Sequence, residues 1–476
     1  MAWVSASWSA LVSGRRAAYT LLLTLAVGVH AMGIHMVGTV LPSVVVDLGG
    51  AAFYAWATIL YTMTSIMGTV CGRLVQATLD LRRGYLVGVF CLLGGTLGCA
   101  MAPHIAVLLI ARALQGIGSG LLVALAYSMV SELYPAELQP RVFSAISGIW
   151  GVAALLGPTV GGVFATLGWW RGAFWSMTPV FMLLSALAWY ALPPVHGQAA
   201  RGRFPGLRLT LLGAGVLCVA LSGHVASLGM RLGLVASACG FIAQTFRLDA
   251  STANRLFPSQ PLSLTTHVGL ASWIFLLFGV TTSYITVFLP LVVQVLYSVS
   301  PLWAGYATAL LSVSWTIAAL GSAGLHDRQV RRAILFGPLL MTCGAIGLGI
   351  WVVHGPLTLL GVCVALTGAG IGVCFAHISS RMIAAARPDE RSLAASAIPT
   401  LQSLGIAFGA ATAGLVANTA GLAEGVSSAT VASAATWVYG LGVVVPISLT
   451  GLALRFVWRR WAYPYVGSSA GAESKR

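Results

Sequence analysis

Charge is scarce in this sequence. Asp, Glu, Lys and Arg make up 7% of its 476 residues, against about 25% in soluble globular chains. So little charge cannot keep an ordinary surface in water, which excludes a soluble enzyme, a disulfide-rich secreted fold and a disordered chain. Lysine is nearly missing: Lys475 stands alone beside 24 arginines. There is no Walker-type phosphate loop, which argues against ATP as a direct energy source. No two cysteines stand at metal-ligand spacing. All eight (71, 91, 99, 218, 239, 343, 363 and 374) fall in apolar runs and read as small buried hydrophobes. No cofactor and no metal is expected.

What is present is apolar surface, with 58% hydrophobic residues and a mean hydropathy of +0.92. About 20 apolar residues make one membrane crossing. On that measure the sequence predicts fourteen helices, at 18–41, 53–75, 84–102, 105–129, 142–166, 172–192, 208–225, 229–246, 267–293, 302–324, 333–353, 356–378, 392–417 and 433–456. The chain therefore reads as an all-α polytopic membrane protein in contact with a lipid bilayer. The pair at 208–246 is the shortest. Without it the count would be twelve and the orientation unchanged.

The arginines set that orientation. Alternate gaps collect Arg15, Arg16, Arg73, Arg82, Arg83, Arg141, Arg201, Arg203, Arg208, Arg247 and Arg255, then Arg328, Arg331, Arg332, Arg381, Arg387, Arg391, Arg455, Arg459 and Arg460. The opposite gaps hold Arg171 and Arg231. Both termini are predicted to be cytoplasmic, in an inner (plasma) membrane. The first helix is too long for a signal-peptide core and is expected to be retained. The net charge of +15 is thus a topology signal. It is not the footprint of nucleic acid, because no basic domain with interleaved aromatics exists. The acids are placed as tightly. Asp47 and Glu424 fall at outer ends. Asp80, Glu132, Glu137, Asp249, Asp327, Asp389, Glu390 and Glu473 fall on the cytoplasmic side, and no carboxylate sits in the middle of a helix.

An offset of 252 residues superimposes two glycine patterns. Gly116-Ile-Gly118-Ser-Gly120 falls on Gly368-Ala-Gly370-Ile-Gly372, and Gly157 and Gly162 fall on Gly409 and Gly414. The loops between also match in kind, Tyr134-Pro135-Ala136-Glu137 against Arg387-Pro388-Asp389-Glu390. Leu41-Pro42 recurs as Leu289-Pro290. Two homologous six-helix bundles follow, with a two-helix insert between them: 1–195, 196–261 and 262–476. Parallel repeats of this kind let two bundles rock about a central site.

These residues resemble the major facilitator superfamily, and within it the fourteen-helix drug:proton antiporter branch. Leu41-Pro42 through Asp47-Leu48 is similar to the branch's first helix ending. Arg112 with Gln115-Gly116-Ile-Gly118 resembles its fourth-helix motif, and Gly157-Pro158-Thr-Val-Gly161-Gly162 its fifth-helix antiporter motif. Trp169-Trp170-Arg171 with Phe174-Trp175 resembles the segment leading into the sixth helix. The resemblance implies a multidrug-resistance type of antiporter working by alternating access in efflux. Two departures stand out. In the loop after the second helix Gly72 fits, but Gln76 occupies an aspartate position and Leu79 a glycine position, with Asp80, Arg82 and Arg83 in a shifted register. Where such antiporters often carry a first-helix carboxylate stands Gly33, between His30 and His35.

Arg112 is the sharpest candidate. A central arginine costs about 2.5–3.5 kcal/mol to insert, so it is expected to face a polar cavity or a partner. A structural alternative is bonding to first-helix carbonyls or to Asp47. His30 and His35 are candidate proton-coupling groups, since imidazole exchanges protons near neutral pH. Being five residues apart, they cannot both face one cavity squarely. The substrate and coupling set is thus Arg112, His30, His35, Gln115 and Asp47. Gly157, Pro158, Gly161 and Gly162 form a bending or close-packing element. Tyr284, Gln294, Gln402 and Asn418 are cavity candidates in the second half, and Trp169, Trp170, Trp303, Trp458 and Trp461 an interfacial belt. His377 with Arg381 is expected at the cytoplasmic end, and His224 with Arg231 at an outer hairpin. A buried Arg112 with no acidic partner favours an anionic or amphipathic small-molecule substrate, moved by a monomer against protons. A uniporter or exchanger of the same fold, and a non-transporting sensor or scaffold, remain alternatives.

Overall fold

The computed structural model describes residues 8–135, 138–193, 205–252, 254–325 and 327–459. Ala136, Glu137, Arg201, Arg203, Arg460, Trp461 and Glu473, all named above, lie outside the described residues.

Long apolar runs leave the backbone no partner but itself, and every pass is accordingly helical. In order these are α1 (Gly14–Leu48), α2 (Trp56–Ala100), α3 (Ile105–Leu133), α4 (Gln139–Thr166), α5 (Arg171–Trp175), α6 (Thr178–Ala191), α7 (Gly206–Ser222) and α8 (Leu228–Ala250). They continue as α9 (His267–Leu296), α10 (Pro301–Ser322), α11 (Asp327–Trp351), α12 (Leu357–Ala385), α13 (Arg391–Thr419), α14 (Ser428–Gly442) and α15 (Val444–Trp458). Twelve helical stretches are long and apolar enough to cross a membrane. The first arm of α2 and the 17-residue apolar helix α7 occupy the places of the other two predicted helices. α5 and α6 make one pass, as do α14 and α15.

Two predicted helices are joined in α2. Its arms meet at Asp80, whose φ of 68° and ψ of 166° lie in a region that glycine normally occupies. The Asp80 carboxylate accepts from the Arg83 amide at 2.9 Å and so caps the second arm.

The glycine repeat has a packing cause. α3 is wedged between the two arms of α2. Gly116 and Gly120 lie against the Tyr61 and Ser65 carbonyls of the first arm, and Gly118 against the Gly88 carbonyl of the second. In the second bundle α12 lies likewise between α10 and α11. Gly368 and Gly372 meet the Leu311 and Trp315 carbonyls, while Gly370 meets the Gly337 carbonyl. A side chain at any of these positions would fall on backbone, so close approach demands glycine.

The same logic governs the contact between bundles. Gly162 of α4 rests on the Leu302 backbone of α10, and Gly414 of α13 on the Ala55 side chain. Pro158 and Thr39 press on Gly305. Hydrogen bonds follow the seam: Thr159 to Tyr306 at 2.7 Å, Gln294 to the Thr39 carbonyl at 3.3 Å, and Asn418 to the Ala52 carbonyl at 2.8 Å. All lie toward the arginine-poor face. Two and three turns nearer the arginine-rich face, on the same side of α4, positions Gly151 and Gly148 meet nothing within 4 Å. The bundles are sealed at one face and parted beside α4 toward the other.

The insert covers the α2–α13 seam. Leu209 and Leu212 of α7 close over Met63, Ile66, Thr400 and Leu404, and His224 packs on Phe53 and Trp56 at 4.7 and 5.6 Å. At the arginine-rich face Arg208 and Asp249 form a buried ion pair, and Asp249 also accepts from the Leu256 and Phe257 amides. Glu390 then anchors the linker by accepting from Arg255 and Ser259.

Candidate functional site

Arg112 sits on α3 about two turns from its start and is 2% exposed. Its partners are neither Asp47 nor residues of α1. Its Nη1 donates to Gln115 Oε1 at 2.7 Å and its Nε to the Ala57 carbonyl at 3.3 Å. The guanidinium lies 4.1 Å from the centre of the Tyr61 ring, a cation–π contact that carries more weight once desolvated. Gln115 in turn donates to Thr96 at 2.8 Å. The charge is thus held by dipoles and a π-face, with no carboxylate in ion-pair contact among the described residues.

Tyr61 extends this network toward α1. Its hydroxyl lies 2.8 Å from Ser119 Oγ and 3.2 Å from His30 Nδ1, and Ser119 lies 2.6 Å from the same nitrogen. Ser119 is reachable because Gly118 and Gly120 flank it where α3 presses on α2. The other edge of the imidazole meets Trp150 of α4 at 5.7 Å. Trp150 is 39% exposed, on the part of α4 where the bundles have parted. One connected path therefore runs from Thr96 through Gln115, Arg112 and Tyr61 to His30, and ends beside an open aromatic wall.

The remaining predicted residues are dispersed. His35 is turned toward α4, where its Cβ faces Gly157. Asp47 belongs to a clamp at the arginine-poor face: Arg171 Nη1 donates to it at 2.6 Å and Trp170 Nε1 at 3.1 Å. Arg171 also holds the Ala102 carbonyl at 3.0 Å. Trp170 is correspondingly buried, at 4%, which removes it from the belt that exposed Trp169, Trp303 and Trp458 represent. The indole lost its place at the interface because Asp47 offers it an acceptor. Among the cysteines, 99, 363 and 374 are buried, whereas Cys239 and Cys343 are exposed.

The loop motif is rebuilt around its departures. Gln76, in the aspartate position, donates to Glu132 at 2.6 Å. Arg82 donates to the Leu192 carbonyl at 2.7 Å and stacks on Trp189. Gly72 admits Ala124 of α3. In the second half, Gln294 and Asn418 are seam residues, and Tyr284 bonds Thr412 at 3.2 Å inside its own bundle. Gln402 is half-buried on α13, its carbonyl against Gly279. His377 bonds the Ser322 carbonyl at 3.0 Å, tying α12 to α10. The network partners Tyr61, Ser119 and Trp150 were not singled out from sequence. The usable signal was a serine inside a glycine triplet together with a tyrosine in an apolar run.

Comparison with known proteins agrees with this architecture. The family model for the Major Facilitator Superfamily matches residues 23–410. A probable multidrug-efflux transporter of Mycobacterium tuberculosis is 33% identical over 438 residues, covering 87% of this chain and 90% of that protein. A multidrug transporter of Bacillus subtilis is 24% identical over 422 residues, with 85% and 76% covered. The crystal structure of a POT peptide transporter shares the fold with a TM-score of 0.65 at 15% identity, covering 93% of this chain and 95% of the other.

Proposed function

The chain belongs to the major facilitator superfamily, a family of transporters rather than enzymes, and on that premise we propose that it is a proton-coupled exporter of small amphipathic organic molecules, anionic rather than cationic. The arginine-rich face is cytoplasmic in this reading. The parted bundles then represent the loading state, and closing them while opening the opposite seam delivers the substrate outward.

The observation that carries the proposal is the His30 network. His30 is the titratable group that meets the open aromatic wall at Trp150 and also connects, through Tyr61, to a fixed positive charge at Arg112. Proton arrival at His30 rearranges its bonds to Ser119 and Tyr61 and alters how Tyr61 holds Arg112. Substrate beside Trp150 senses the change as altered positive potential. The lack of a described carboxylate at this depth disfavours a cation there. The Mycobacterium tuberculosis relative named for multidrug efflux supports the outward direction.

The test uses purified protein in sealed liposomes with an imposed pH gradient and a fluorescent organic anion or organic cation. Gradient-driven accumulation of the anion in excess of the cation is expected. Anion movement that ignores the gradient would replace the antiporter with a uniporter or exchanger. A preference for the cation would overturn the substrate class.

A further inference from the structure

We propose that a groove on the outer surface of the second bundle, between α9 and α15 at the arginine-rich face, binds an anionic phospholipid. The groove is open along its length, with a volume of about 460 Å³, and is lined by Leu264, Trp273, Ser448, Gly451, Leu452 and Arg455. Its depth follows from helix geometry. Trp458, three residues beyond Arg455 and 75% exposed, marks the membrane–water interface. Arg455 therefore stands at headgroup level. Gly451 and Ser448 lie about 6 and 10 Å deeper along the same helix, at 1.5 Å per residue.

The polar groups sort the occupant. Ser448 Oγ donates to the Val444 carbonyl at 2.8 Å, and Trp273 Nε1 donates to the Leu262 carbonyl at 3.1 Å. Both are satisfied within the protein. The Arg455 guanidinium is exposed, and among the described residues no carboxylate lies within ion-pair distance of it. The groove thus offers one cation at its mouth and an apolar trough beneath. A molecule with one anionic head and a hydrocarbon body complements that arrangement, and a bilayer supplies it as a phospholipid. Gly451 forms the floor, and a side chain added there meets nothing within 4 Å. The trough is open because residue 451 has no side chain, and filling it disturbs no packing.

The proposal is tested by native mass spectrometry of the full-length protein released from mixed phosphatidylglycerol and phosphatidylcholine nanodiscs. Wild type is expected to retain phosphatidylglycerol in preference to phosphatidylcholine. Arg455→Gln should lower that retention about fivefold, the factor for one basic residue at a membrane surface. Gly451→Leu should lower retention of both lipids while leaving the melting temperature unchanged. Arg331→Gln, on the same face but at α11, should leave retention as it is. Equal retention of the two lipids by wild type, an undiminished signal in Gly451→Leu, or a loss in Arg331→Gln equal to that in Arg455→Gln would each overturn the site.

Discussion

The Arg112 guanidinium lies 4.1 Å over the Tyr61 ring, while the Tyr61 hydroxyl is within hydrogen-bond reach of His30 and Ser119. One aromatic side chain thus contacts a fixed cation on its face and a titratable group at its edge. Removing the cation should separate stability from function. Arg112→Met takes away a charge that is costly to bury and leaves Gln115 still bonded to Thr96, so the melting temperature should be unchanged or higher. Transport in liposomes should fall more than about tenfold, a barrier increase of about 1.4 kcal/mol. Gln115→Leu should do the reverse to stability. It removes the 2.7 Å acceptor and leaves the guanidinium with the Ala57 carbonyl and the Tyr61 ring, at a cost of about 1.5–3 kcal/mol. If Arg112→Met transports normally, the cation has no functional part.

His30 and His35 should behave differently although only five residues separate them. His30→Gln keeps a group able to bond Ser119 but cannot carry a proton. Stimulation by a pH gradient should vanish while downhill exchange continues. His35→Gln should retain the stimulation, since His35 is directed at the α1–α4 contact near Gly157. The readout is the ratio of flux with the gradient to flux without it. Loss of the ratio in His35→Gln alone would move the coupling role to the other histidine.

What the sequence revealed follows from the range of each signal. The crossings, the repeat and the glycine motifs were legible because they depend on local hydropathy and on the missing side chain at a close approach. Gly116, Gly118 and Gly120 appear as a pattern because each excludes the same thing, a Cβ. Asp80 was not legible as a helix-joining bend, because its backbone conformation is unusual for a residue with a side chain. Tyr61 and Ser119 were missed because their value lies in a partner 89 residues from Ser119 in sequence, His30. Trp170 was misread for the same reason, with its acceptor Asp47 lying 123 residues away.

Tyr54 carries a buried hydroxyl with no hydrogen-bond partner among the described residues, at a position 1% exposed where its ring lies 5.5 Å from Phe288. This pair crosses the seam between bundles at the sealed face. An unsatisfied buried hydroxyl costs about 1–3 kcal/mol, a cost that water relieves when the seam opens. Tyr54→Phe should therefore favour the sealed state and slow turnover. Maleimide labelling of a cysteine placed at Thr39, itself buried in the seam, should slow in the Tyr54→Phe background. Faster labelling would show that the hydroxyl helps to hold the seam.

The linker after the insert should respond to acid through Glu390. Burial raises this carboxyl, but hydrogen bonds from Ser259 and the charges of Arg387 and Arg255 outweigh it and hold the group below its ordinary value. A depressed folded value means that docking is stabilised above the free carboxylate range of about 4.3 and weakens as pH falls through the lower folded value. Hydrogen exchange over 255–266 should be slow at pH 6 and rise only in strong acid. Glu390→Gln should exchange quickly at both. An unchanged rate in Glu390→Gln would mean that other contacts hold the linker.

Gly157 and Gly162 lie five residues apart on α4, and the same substitution at each should have opposite consequences. A methyl at Gly157 falls 2.7 Å from His35 Cβ and 3.1 Å from the Met36 amide, inside the first bundle. No rocking motion relieves that clash, so Gly157→Ala should lower stability by about 1–3 kcal/mol. A methyl at Gly162 falls on the Leu302 backbone of the other bundle. Parting the bundles at this face relieves it completely. Gly162→Ala should therefore fold and melt like wild type yet fail to seal the arginine-poor face. In that variant the cysteine at Thr39 should label faster, and transport should fall because the cycle stalls with the seam open. Gly414 is the matching position in the second bundle, where an added methyl would stand 2.9 Å from the Ala55 side chain. Gly414→Ala should show a milder form of the same effect, since the added methyl meets one carbon at 2.9 Å there and three atoms at 2.4–2.9 Å at Gly162. A drop in melting temperature at Gly162→Ala as large as at Gly157→Ala would mean that the seam is part of the folded core and does not open.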